Sequence, residues 1–480
     1  MPTLAKQFEF LPTPIQSITL FELLKRSSKS TLQLIQQTIA AHLKRDFLAC
    51  LPYELKLHVI SYLDVCSLQR ASLVSKTWHR IINGDINIWY RLLMRDGFQI
   101  QLNNRLYREQ YRRQYTLKSN WRKGRFRRIE FDGHKDNIVT CLQFDNDKII
   151  SGATDALINI YDAKEPQVVV TQLRGHNGGV WALQYIGNTL VSGSIDRTVR
   201  VWNIDQKRCT HIFKGHTSTV RCLQIIMPVN VNGRIEPQEP LIVTGSRDFS
   251  IRVWRLPNVE EFDGGEEPFV GEEDPVSNPW HKYVLVGHTH SVRSIAAYGN
   301  TLVSGSYDNT VAIWDLSVGR LMHRMEGHTS NVYSVVIDPP RNQCMSGSMD
   351  SSVFIWDLAT GNCLHKLNGH SILVGLLGLT QNYLVSAAAD CTLRVWNPNN
   401  GICEHVLAGH EGVITCFKHD DEKVISGSEG GLKVWDIKTG RYLYDLVTDV
   451  KGVWWVTFDK SKCVVAIHKY VITIYLHILW

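Results

Sequence analysis

The 480-residue chain lacks the short signatures of the common catalytic folds. It has no P-loop, no G-x-G-x-x-G, no H-E-x-x-H and no G-x-S-x-G. That removes the usual routes to nucleotide, dinucleotide, zinc-hydrolase and serine-hydrolase chemistry. No enzyme activity, catalytic residue or cofactor is expected. The eleven cysteines are scattered, with no pair at C-x-x-C spacing. A reduced intracellular thiol set fits better than a zinc site or a disulfide framework, so no metal is expected. No run of eighteen apolar residues occurs, and the N-terminus MPTLAKQFEF has no apolar signal core. Neither a membrane partner nor secretion is therefore expected. The net charge of +6 is too mild to call for nucleic acid.

What the chain has is a repeat. Gly-His pairs stand at Gly133-His134, Gly175-His176, Gly215-His216, Gly287-His288, Gly327-His328, Gly369-His370 and Gly409-His410. Each is followed about thirty residues later by a Trp-Asp-like pair, from Tyr161-Asp162 to Trp435-Asp436. Successive histidines lie 42, 40, 72, 40, 42 and 40 residues apart. This period, with short strands between the landmarks, reads as a WD-repeat β-propeller. An eighth blade is expected over 449–480, from Gly452-Val453-Trp454, Val464–Ile467 and Val471–Tyr475, with its outer strand supplied by residues 126–131. Such closure would hide the sheet edges. The expected fold is thus mixed: an all-α N-terminal region followed by an all-β eight-bladed WD-repeat propeller over 126–480. The repeat-linked residues, such as His176, Ser192, Asp196 and Trp202, read as a buried hydrogen-bond network and not as catalytic groups. Blade seven, with Gly427-Ser428-Glu429-Gly430, lacks the turn Asp and should be looser. The excursions Pro228–Pro240 and Pro257–Lys282 read as surface loops.

Two positions per blade should face the mouth of the central channel. Five residues after the Gly-His histidine stand Trp181, Arg221, Arg293, Tyr333, Gly375 and Thr415, with Thr140 in blade one and Trp454 in blade eight. Just before the turn Asp stand Thr154, Ile195, Arg247, Tyr307, Met349 and Ala389, with Glu429 in blade seven. With Arg197, which follows the turn Asp of blade two, Arg221, Arg247 and Arg293 gather on blades two to four, flanked by Trp181, Tyr307 and Tyr333. A single arginine there would most simply pair with a local acid such as Asp248. Three at the ring positions of adjacent blades three and four repel one another unless an anion binds. Guanidinium forks match phosphate oxygens, and a small pocket ringed by aromatics suits one phosphate better than a nucleic-acid track.

The remainder of the chain is helical in pattern. Residues 1–16 show no period and read as a disordered tail. Over 17–46, Ser17 or Thr19 could cap one helix and Ser30 or Thr31 another. Leu32, Ile35, Ile39 and Leu43 form one stripe, able to self-associate or to pack on the next domain. Over 47–93 the pattern is a compact helical block, with Pro52 in a first turn, Asp64 and Ser75 as caps and Gly84 as a terminator. Residues 94–125 form a basic helical linker. From Arg105 to Arg128 ten Lys/Arg face one acid, whereas Glu260 to Asp274 holds eight acids and no base; both runs read as solvated surface. A nuclear import signal is a second reading of Arg122–Arg128, and the nucleus, with the cytoplasm, is the expected compartment.

Leu51-Pro52, Tyr62-Leu63, Val74-Ser75-Lys76 and Trp78, in that order and spacing, resemble an F-box. The resemblance implies that Leu51, Pro52, Leu55, Leu63 and Trp78 dock on the Skp adaptor of a cullin ubiquitin ligase. An F-box before a propeller carrying HTSTVRC, GSRD and GSYDNT resembles the cell division control protein four family. That likeness implies a substrate receptor that binds phosphorylated protein substrates through phosphothreonine-proline degrons. Arg221, Arg247 and Arg293 would hold the phosphate, with Tyr307 beside it and Arg197 near it. Trp181 and Thr219 would line the proline pocket. The likeness also implies a homodimer through residues 17–46. Ile195 and Asn331 depart from the family pattern, where Thr and Arg are usual. The competing reading is a propeller scaffold for unmodified or methylated tails; it would have no use for the F-box residues.

Overall fold

The computed structural model describes residues 2–43, 46–100, 106–165, 169–231, 233–262, 265, 267–272, 278–468 and 472–478. The chain divides into two units, Met1–Tyr115 and Thr116–Trp480.

The first unit is helical. Helix α1 spans Pro2–Glu9, where the sequence reading expects a disordered tail. Proline at the first position followed by good helix formers accounts for it. Helix α2 runs Thr13–Lys25 and α3 Lys29–Leu43. The expected caps are corrected. Ser17 and Thr19 lie inside α2, where their hydroxyls donate back to Thr13 and Ile15 carbonyls at 3.0 and 2.8 Å, a bond open to any helical Ser or Thr. The oxygen that accepts at the start of α3 belongs to Ser28, from the Thr31 N–H at 3.2 Å. A further cluster follows: α4 (Phe47–Cys50), α5 (Tyr53–Ser61), α6 (Val65–Ala71), α7 (Lys76–Gly84) and α8 (Ile86–Arg95). Pro52 precedes α5 and is not in its first turn. Asp64 accepts from the Cys66 and Ser67 N–H groups, and Ser75 from that of Trp78. Leu48, Ile60, Leu68, Ile82, Trp89 and Leu93 form the core of this cluster. Helix α9 (Tyr107–Lys123) runs across the division between the units.

The second unit is a ring of four-stranded antiparallel sheets. Seven carry the repeat landmarks. In blade two, Asp196 Oδ2 lies 2.8 Å from His176 Nδ1, so that nitrogen holds the proton and Nε2 is left to accept. Ser192 Oγ sits 2.8 Å from Nε2 and accepts from Trp202 Nε1 at 2.8 Å. The same chain recurs in blades three to six, with Thr244 replacing the serine in blade three. In blade seven Ser428 Oγ takes the missing Asp's place, 2.7 Å from His410 Nδ1. A glycine lies between two buried residues on the second strand of most blades. A Cβ on Gly193 would come within 2.5 Å of Val220 in the next blade, and one on Gly427 within 2.7 Å of Val453. The small residue lets neighbouring blades close on each other.

The expectation of an eight-bladed WD-repeat propeller is corrected: the WD-repeat blades number seven. The remaining sheet is not a WD repeat. It has neither Gly-His nor Trp-Asp and joins both ends of the unit: Arg127–Asp132 beside Ile472–Ile478, then Lys462–His468, then Gly452–Phe458. Both excursions also carry strands. The first holds a hairpin of Val229–Val231 and Arg234–Glu236. The second lays Phe269–Gly271 parallel to His211–Phe213 as a fifth strand on blade two.

Candidate functional site

Each innermost strand is broken by a β-bulge near its start. The register shifts fall between Val180 and Ala182, Val220 and Cys222, Val292 and Ser294, and Val332 and Ser334, and likewise in the other blades and the closing sheet. The residue skipped is in each case the expected ring residue: Trp181, Arg221, Arg293, Tyr333 and their equivalents Thr140, Gly375, Thr415 and Trp454. A bulge re-aims a side chain out of the pleat. The residue before each turn Asp is held by a second recurrent device, a backbone bond to the loop that enters the innermost strand. Arg247 N–H donates to Thr219 O at 2.9 Å, Tyr307 to Ser291 at 3.0 Å, Ile195 to Gly179 at 3.0 Å and Met349 to Asn331 at 2.8 Å.

These two tiers bring the candidate residues together over blades two to five. The Arg221 guanidinium carbon lies 4.1 Å from the Trp181 ring centroid, a cation–π contact. Burial first, and then the like charges of Arg293 and Arg247, push Arg221 below its ordinary pKa. Arg293 Nε is buried without a hydrogen-bond partner among the described residues. The Tyr307 and Tyr333 rings lie 5.1 Å apart; burial and the Tyr307 hydroxyl push the Tyr333 phenol up. Among the described residues no carboxylate pairs with Arg197, Arg221, Arg247 or Arg293. Asp248, the local acid next to Arg247, is engaged by His216, Ser250 and the Thr217 N–H. Arg197 is exposed at φ 70° on its turn. Thr415, on the side without arginines, bonds the Val453 carbonyl across to the closing sheet and so has a structural task.

The sequence reading missed two residues here. Phe249 follows the turn Asp of blade three, and His290 stands in the loop before the innermost strand of blade four. Their rings are 5.5 Å apart, and His290 is 6.0 Å from Tyr307. The signal was the GSRDFS stretch, which puts Phe where the other turns place Ala156, Arg197, Asn309, Ser351 or Cys391.

In the helical unit, Pro52 and Leu55 are exposed, as are Val59, Tyr62, Leu73 and Val74. Leu51 is half-buried. Leu63 and Trp78 pack partly against the core instead, and Trp78 Nε1 donates to Asp46 Oδ1 at 2.6 Å. Leu32 and Ile39 of α3 are exposed and Ile35 half-buried, while the Leu43 side chain lies outside the described residues.

Comparison with known proteins agrees with this division. The F-box-like family matches residues 48–95, and the WD domain, G-beta repeat family matches seven segments: 125–162, 167–203, 207–255, 280–315, 319–357, 361–397 and 401–436. The first segment begins with the strand that completes the closing sheet, and the rest of that sheet lies beyond the last. The chain is 43% identical to Cell division control protein 4 of Candida albicans, over 96% of this chain and 71% of that one. It is 41% identical to WD repeat-containing protein pop2 of Schizosaccharomyces pombe, over 98% and 71%. A solved structure, the computationally designed Ika8 protein, superposes with TM-score 0.60 at 28% identity, over 72% of this chain and 98% of that one.

An F-box-like segment joined to a WD-repeat propeller makes this a substrate receptor of the Skp–cullin–F-box ubiquitin ligase class. Within that class, the chain belongs to the cell division control protein 4 family.

Proposed function

We propose that the propeller captures protein substrates by a phosphothreonine-proline degron and that the F-box carries them to the ligase for ubiquitination and degradation. The observation that supports this best is three arginines at the two tiers of neighbouring blades, Arg221 and Arg247 on blade three and Arg293 on blade four, with no carboxylate partner among the described residues. Like charges so placed want an anion. The phosphate accepts from their guanidinium forks, with Tyr307 and Tyr333 beside it. Trp181 and Thr219 take the proline, and Arg197 extends the positive field. A methylated or unmodified tail would leave the arginines uncompensated. The exposed apolar face of α5 and the α6–α7 junction docks the Skp adaptor. The exposed stripe on α3 pairs with that of a second copy. Regulatory proteins of the cell cycle, met in the nucleus, are the substrates that fit the family.

The test is fluorescence polarisation with paired phosphorylated and unphosphorylated threonine-proline peptides at fixed salt. Arg247→Ala should weaken binding of the phosphopeptide about ten-fold or more. Arg247→Lys should rescue poorly, because an ammonium lacks the planar fork. Glu429→Gln, on the side without arginines, should leave it unchanged. Equal affinity of the wild-type protein for both peptides would refute the reading.

A further inference from the structure

Blade three differs from its neighbours at the end of the ring away from the arginines. In blades two and four the innermost strand turns straight back, with Ile186 paired to Thr189 and Tyr298 to Thr301. In blade three, residues 227–240 stand between Ile226 and Leu241 and fold into the hairpin of Val229–Val231 and Arg234–Glu236. The neighbouring blades close without such a hairpin, so the fold does not require it. An insertion of this kind is more often kept for binding. The hairpin leans over the turn of blade four. A Cβ on Gly299, at φ 57°, would meet Val231 Cγ2 at 3.1 Å and Glu236 Oε2 at 3.6 Å. Blade five adds Pro339 and Pro340, whose rings stiffen a short 3-10 turn. Together the three blades enclose a cavity of about 420 Å³, within the roughly 300–1,000 Å³ of ligand-binding clefts. Along Val292–Tyr298 it lies on the order of 16 Å from the tier of Arg293.

The lining is apolar with one charge. Val231, Ile337, Pro339 and Pro340 form walls, and Glu236 is the charged group among the described lining residues. Glu239, on the same excursion, is neutralised by Arg255 and Lys282 at 3.0 and 3.1 Å. Glu236 is half-buried, yet among the described residues its carboxylate has no ion pair or hydrogen bond. A carboxylate beside apolar walls attracts a cation more strongly than one in open water. A side chain with an apolar stem and a positive head satisfies both parts of the cavity. Arginine fits better than lysine, because its planar fork takes both carboxylate oxygens and its face can stack on the Tyr298 ring.

We infer that this cavity is a second binding site, which takes an arginine side chain of a protein partner on the face of the ring away from the phosphate site. The two faces then select opposite charges, and a partner held here is bound whether or not a phosphorylated substrate is present.

The experiment uses the full chain and two small probes, N-acetyl-arginine amide and the uncharged near-isostere N-acetyl-citrulline amide, titrated by saturation-transfer NMR. The arginine amide should bind about ten-fold or more tightly than the citrulline amide. Glu236→Gln should abolish that difference. Glu429→Gln, which removes an exposed acid from the opposite face, should leave it unchanged. The proposal is overturned if neither amide binds, if the two bind alike, or if Glu236→Gln keeps the difference. Loss of the difference in Glu429→Gln would also overturn it, since any surface acid would then serve.

Discussion

Replacing Arg293 by methionine should move binding and stability in opposite directions. The Arg293 side chain leaves its bulged strand with a buried Nε that has no acceptor among the described residues, and its charge adds to the field that pushes Arg221 down. A buried donor without a partner costs about 1–3 kcal/mol. Methionine fills similar space without a donor or a charge, so that cost disappears from the unliganded protein. Unfolding entropy of about 2.1 cal/mol/K per residue over the Thr116–Trp480 unit is roughly 0.8 kcal/mol/K. The gain should therefore raise the midpoint of thermal unfolding by about 1–4 °C. The same substitution removes a charge-assisted contact of about 1.5–3 kcal/mol to phosphate. Phosphopeptide affinity should then fall about ten- to 150-fold. Differential scanning fluorimetry and fluorescence polarisation on the same preparation give both readings. A lower midpoint would mean that Arg293 has a structural partner in the free protein, and unchanged affinity would mean that it faces no phosphate. Either result refutes the reasoning.

Other outcomes follow from particular contacts. Ser304 Oγ serves both His288 Nε2 and Trp314 Nε1 at 2.8 Å, so Ser304→Ala should cost about 2–4 kcal/mol in denaturant unfolding; Ser304→Thr should be tolerated, since Thr244 fills that slot in blade three. Burial, and secondarily the Lys433 charge, push the His410 imidazole down to about 4. The unfolded chain takes up that proton near the ordinary value of about 6.5 and so binds more protons between the two. Blade seven should accordingly be most stable above pH 6.5 and lose stability as pH falls towards 4. Amide-exchange protection of Lys423–Ser428 and Gly430–Asp436 should be lower at pH 5 than at pH 7, and equal protection would refute this. Leu55→Asp, on the exposed face of α5, should reduce co-purification with the Skp adaptor about ten-fold or more while phosphopeptide binding is kept.

Much of the ring was legible in the sequence because a propeller repeats: counting from each Gly-His reaches the same tier in every blade. The bulges that push Arg221 and Arg293 out of their strands were not, since a bulge depends on pairing with the next strand, which lies outside the local sequence. Phe249 did not stand out because, unlike Arg197 at the equivalent place of blade two, it adds no charge to the arginine pattern. The helix starts at Thr13 and Lys29 were misplaced because Ser and Thr satisfy themselves equally well inside a helix. The C-terminal strands showed as apolar runs, but without the landmarks they form a sheet of their own kind and not an eighth WD repeat. Leu63 and Trp78 matched the F-box pattern, yet a linear pattern does not say which side of a helix faces the core.

The pairing of Arg127–Asp132 with Ile472–Ile478 sets a clock on the ribosome. The helical unit is finished early, but the first strand of the ring waits for roughly 350 more residues before its partner exists. At about 5–20 residues per second that wait is on the order of 17–70 s. For that interval a nascent chain already carries a complete F-box-like segment while its ring remains open. Recruitment to a ligase can begin before the chain can choose a substrate, because the ring stays open until Ile472–Ile478 is made.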